Sequence, residues 1–169
     1  MVATPAEPVA INPSVTALAA SPDGTLLVCA CNGKNGANQA WIEPDDSLLA
    51  IDVAGGRKIW SGKGGRGDFQ APSFAGDGRT VAVVQGRVVA LVEATSGRML
   101  HTLEHTKYPS GPLSTALSRD GKLCAVGYAP NNVGIWDVVS GECLRLLGAR
   151  SNWVVALAFS PDRSQLATC

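Results

Sequence analysis

Ser118-Arg119-Asp120-Gly121 is a tight turn written in side-chain chemistry, and the chain spells variants of it four times. Its companions are Ser21-Pro22-Asp23-Gly24, Ala75-Gly76-Asp77-Gly78 and Ser160-Pro161-Asp162-Arg163. Serine and aspartate bond back to nearby backbone, and glycine reaches the positive φ that closes such turns. Successive aspartates lie 54, 43 and 42 residues apart, the spacing of a repeat protein rather than of unrelated loops. A second marker runs in step: an apolar strand, an acidic residue, then a glycine four residues on. It occurs at Ile51-Asp52 with Gly56, Val92-Glu93 with Gly97 and Trp136-Asp137 with Gly141, the glycines 41 and 44 residues apart.

Between the markers lie short β-rich runs. Val15–Ala19, Leu26–Ala30 and Leu48–Ile51 are bounded by Gly, Pro, Asn and Asp. Thr80–Val84 and Arg87–Val92 flank Gln85-Gly86, which predicts a hairpin turning on those two residues. Many runs are continuously apolar instead of alternating, so both faces of each sheet are expected to be buried, sheet against sheet. No segment sustains a helical period. Each repeat then supplies four strands, a to d: a precedes the Asp-Gly turn, b follows it, c ends at the acidic residue, and d follows the second glycine. In the third repeat these are expected near Leu113–Leu117, Leu123–Gly127, Asn132–Trp136 and Glu142–Leu147. The fold class is all-β: a β-propeller of four-stranded antiparallel blades, about three and a half of them present. An N-terminal arm over 1–14 precedes blades near 15–61, 69–104 and 113–148 and a partial one over 153–169. An open ring leaves a sheet edge exposed, so completion by further sequence or by another chain is expected.

Gly134-Ile135-Trp136-Asp137-Val138-Val139-Ser140-Gly141-Glu142-Cys143-Leu144, followed by Trp153-Val154-Val155-Ala156-Leu157-Ala158-Phe159-Ser160-Pro161-Asp162, resembles the WD-repeat family. The resemblance covers about residues 15 to 169 and is strongest after 113. It departs from the family's pattern in two ways. Trp136-Asp137 is the one Trp-Asp pair, and the Gly-His pair is replaced by Glu104-His105 and Ala149-Arg150. The family's His–Ser/Thr–Trp–Asp bond network therefore cannot be assembled here, and stability should rest on apolar packing between blades. The resemblance implies an interaction scaffold without catalysis or cofactor. A second resemblance supplies an alternative: Ala50-Ile51-Asp52-Val53-Ala54-Gly55-Gly56-Arg57-Lys58-Ile59-Trp60 is similar to the blade motif of quinoprotein propellers, with Gly55 in place of a Thr. In that family the tryptophan docks between blades, and the enzymes are pyrroloquinoline-quinone-dependent oxidoreductases.

Composition narrows the classes. The 169 residues are 46% hydrophobic and 17% charged with a formal net charge of zero, a soluble globular balance that argues against a nucleic-acid surface. Met1 to Pro13 hold three prolines and no signal-like apolar run, and no stretch approaches membrane-spanning length. An intracellular chain, cytoplasmic or nuclear, is expected. Five cysteines (29, 31, 124, 143 and 169) lack metal-ligand spacing and read as reduced thiols. His101 and His105 fall on a strand end and a loop, poor geometry for zinc. Ser61-Gly62-Lys63-Gly64-Gly65-Arg66-Gly67 lacks the spacing and the following helix of a phosphate loop and reads as a blade linker. No metal, cofactor or catalytic set stands out.

Antiparallel strands put the a–b and c–d turns at one end and the b–c and d–a loops at the other. The turns are short and uniform; the loops vary, most of all the first b–c connection through Asn32–Asp46. That face gathers the candidate partner-binding residues Lys34, Trp41, Arg66, Lys107, Tyr108, Arg150, Asn152 and Trp153. Aromatics and cations on loops over a rigid scaffold suit recognition of proteins or peptides. Trp41 could instead pin its own loop, and Trp153 could pack between blades.

Overall fold

The computed structural model describes residues 14–32, 46–63, 69–104, 111–148 and 153–169. Their secondary structure is strand and turn, without helix. β1 (Ser14–Ala20), β2 (Leu26–Asn32), β3 (Asp46–Asp52) and β4 (Arg57–Lys63) pair in chain order as one antiparallel sheet. β5 (Phe69–Phe74), β6 (Thr80–Gln85), β7 (Val88–Glu93) and β8 (Met99–Leu103) form the second. β9 (Pro112–Leu117), β10 (Leu123–Tyr128), β11 (Asn132–Asp137) and β12 (Cys143–Gly148) form the third, and β13 (Leu157–Phe159) pairs with β14 (Leu166–Thr168). β5 packs against both β1 and β9, and β9 also against β13. The a strands thus lie side by side while the sheets fan out from them. This is a partial β-propeller.

The pleat explains the continuous apolar runs. One set of residues in β2 and β3 (Val28, Ala30, Leu48, Ala50) packs against Val81, Val83, Ala90 and Val92 of the second sheet. The alternate set of that sheet (Val84, Val89, Leu91, Leu103) packs against Leu117, Cys124, Val126, Tyr128 and Trp136 of the third. Ala116, Ala125 and Val133 then turn to Val154, Leu157, Phe159 and Leu166. A sheet buried on both sides has no polar face to alternate with. Each fully buried Val or Leu contributes roughly 1.5–3 kcal/mol, so these three layers dominate the stability.

Bonds between atoms about one repeat apart tie the layers together. Ser73 Oγ lies 3.0 Å from Thr115 Oγ1, and Thr115 Oγ1 donates to the Ala71 carbonyl at 2.8 Å. Ser114 Oγ donates to the Val154 carbonyl at 2.7 Å. Farther out, the Trp60 indole Nε1 donates to the Ala94 carbonyl at 2.8 Å, and its ring covers Gly97, where a Cβ would sit 2.6 Å from Trp60 Cε3. Trp60 therefore docks between the first two blades.

One turn corrects the expectation. The β6–β7 loop is Gly86-Arg87, because Gln85 pairs with Val88 across the ladder. Gly86 has φ of +60°, the demand of a hairpin with glycine at its first central position. The flanking runs are apolar on both faces, so their pattern alone does not fix the register.

Candidate protein-interaction face

The a–b turns are built alike. Ser21 Oγ donates to Asp23 Oδ1 at 2.6 Å and accepts the Leu26 N–H at 2.9 Å. Ser118 repeats this with Asp120 and Leu123, and Ser160 with Asp162 and Gln165. Ala75 stands in the serine position of the second blade, where Asp77 keeps its bond from the Arg79 N–H at 2.9 Å. Gly24, Gly78 and Gly121 take φ near +70°; Arg163 takes +63° in the fourth turn and forms an ion pair with Asp120. The serine hydroxyls hold Asp23, Asp120 and Asp162 below the usual carboxylate range, Asp162 at about 2. At the c–d turns Asp137 Oδ1 accepts the N–H groups of Val139 and Ser140, and Glu93 accepts from Ser96 and Arg98. These carboxylates accept chiefly from their own turns, and Asp120 also from Arg163 of the next one.

The other end differs in kind. It carries the b–c connections, Gly86-Arg87 in the second blade and Ala129-Pro130-Asn131 in the third, together with the incoming d–a connections. A Cβ on Gly111, just ahead of β9, would stand 3.1 Å from the Gly86 carbonyl oxygen. One on Gly127 would press on Ser114 Oγ and stand 2.6 Å from the Val154 carbonyl oxygen. Gly111 thus lies close to the Gly86-Arg87 turn, and Val154 close to Gly127 near the end of β10.

Trp153 is the described residue of the predicted face. It is 62% exposed, not buried between blades, while the next residue, Val154, is fully buried and bonded to Ser114. Val155 is 59% exposed, an apolar neighbour that the sequence did not single out. An indole held out from an anchored backbone costs little ordering entropy when a partner covers it. Lys34, Trp41, Arg66, Lys107, Tyr108, Arg150 and Asn152 lie outside the described residues.

Reactive chemistry is sparse. Among the described residues no three His, Cys, Asp or Glu side chains group as metal ligands. The five cysteines form no disulfide; burial pushes the Cys124 thiol up to about 12 and raises Cys29 as well, which makes both poor nucleophiles. One concavity among the described residues is a groove of about 410 Å³ between the third sheet and β13–β14, lined in part by Leu123, Ile135, Leu144, Leu147, Phe159 and Leu166. Arg145, Arg163, Ser164 and Gln165 complete its lining, which holds no Asp, Glu or His. No helix of the described residues is long and apolar enough to cross a membrane.

Comparison with known proteins agrees with this architecture. The model of the WD domain, G-beta repeat, matches residues 9–36 and 141–169. Nuclear distribution protein PAC1 of Mycosarcoma maydis is 38% identical over 58 residues, 34% of this chain and 13% of that protein. WD repeat-containing protein 90 of Mus musculus is 37% identical over 89 residues, 49% of this chain and 5% of that protein. An uncharacterized WD repeat-containing protein of Synechocystis is 26% identical over 126 residues, 73% of this chain and 35% of that protein. The chain spans far less than two thirds of each of these relatives.

Proposed function

For a chain that carries WD repeats, we propose the role of a protein–protein interaction scaffold with no catalysis of its own. Partner proteins or peptides seat on the face built by the b–c and d–a loops, with no nucleic acid or membrane involved. The observation that carries this reading is the contrast between the two ends. One carries repeated turns in which serine hydroxyls bond to aspartate and backbone partners; the other carries the b–c connections and the exposed indole of Trp153. Further blades, from more sequence or from another chain, complete the ring. Cysteines without a disulfide suit a reducing compartment, and the reading sets the chain inside the cell, in the cytoplasm or nucleus.

The test is selection of binding peptides from a random library against the immobilised chain, followed by affinity measurement on variants. Trp153→Ala should weaken the selected peptides about tenfold or more, the behaviour of an aromatic anchor. Val139→Ala, at a c–d turn where the side chain is 76% exposed, should leave them unchanged. Loss through Val139 and not through Trp153 would put binding on the wrong end.

One observation favours a second reading. Trp60 docks on the next blade as the tryptophan of the quinoprotein motif does. That contact is structural and shared by any propeller that uses it, so it supports the blade resemblance more than the redox chemistry. Dye reduction on addition of pyrroloquinoline quinone would establish the enzyme; a chain that neither binds nor turns over the quinone would remove it.

A further inference from the structure

We draw no further inference here: the strongest candidate, the apolar groove between the third sheet and the β13–β14 hairpin with Arg145 at its wall, is an unpartnered sheet face, and nothing in the structure shows what covers it.

Discussion

At the scale of single residues, the junction between the third sheet and β13 depends on one missing side chain. Gly127 leaves the space in which Ser114 reaches the Val154 carbonyl, and a methyl group there would meet that backbone oxygen at 2.6 Å. Backbone cannot swing aside as a flexible side chain can. Gly127→Ala should cost about 1–3 kcal/mol through overpacking and loss of the bond. Gly148→Ala, where a Cβ meets nothing within 4 Å, is the control and should be near neutral in urea unfolding. Equal midpoints for the two variants would remove Gly127 from the junction.

The turn aspartates make a second claim at this scale. Their folded pKa values are depressed, chiefly by serine hydroxyl donors, below the unfolded value of about 3.9. Their contribution is therefore complete above that value and is lost as pH falls through the folded values, which for Asp162 means a window from about pH 4 down to about 2. Stability measured from pH 6 to 2 should hold and then fall within that window. Ser118→Ala should flatten part of the fall, since Asp120 then loses its principal stabilising donor. A variant with an unchanged acid limb would contradict that cause.

At the scale of elements, strand d carries a position whose meaning emerges in three dimensions. Trp60, His101 and Arg145 each stand four residues after the glycine of their own c–d turn. Trp60 covers Gly97 of the next blade, and His101 Nδ1 lies 3.8 Å from where a Cβ on Gly141 would be. The receiving turns match as well: the Ala94 N–H bonds to the Arg79 carbonyl at 2.8 Å, and the Val138 N–H bonds to the Lys122 carbonyl at 2.9 Å. His101→Trp should therefore place an indole N–H toward the Val138 carbonyl and raise stability by about 0.5–1.5 kcal/mol, the net worth of a hydrogen bond. Trp60→Ala should lower it by roughly 2–3 kcal/mol, below a full core truncation because Trp60 is half-buried. A destabilised His101→Trp would show that the two docks are not equivalent.

The same position shows where sequence stops being legible. The Asp-Gly turns could be placed because their chemistry recurs in order and at one phase, and the four-stranded blades follow from them. The docking position could not be found by recurrence, because an indole, an imidazole and a guanidinium share no pattern. Hydroxyl ties such as Ser73 to Thr115 join residues 42 apart, whose partnership exists once the a strands are neighbours. The Gly86-Arg87 turn slipped by one residue for the opposite reason: valines stand on both sides, so either register keeps the apolar pattern. On the candidate face, Trp153 was legible as an aromatic beside a strand start. Its choice between burial and exposure depended on Val154 filling the junction in its place.

At the scale of the whole molecule, three apolar layers hold blades in a fixed fan, and the antiparallel order sorts every connection to one end or the other. The proposed scaffold would recognise through its loops and leave the repeated turns to the fold. The measurement that bears most directly on that division is amide hydrogen exchange of the intact chain with and without a saturating library-selected peptide. Protection is predicted in the b–c and d–a connections, over residues 33–45, 64–68, 105–110 and 149–155. Protection concentrated instead in the c–d turns, at Asp52–Arg57, Glu93–Arg98 and Asp137–Glu142, would contradict it.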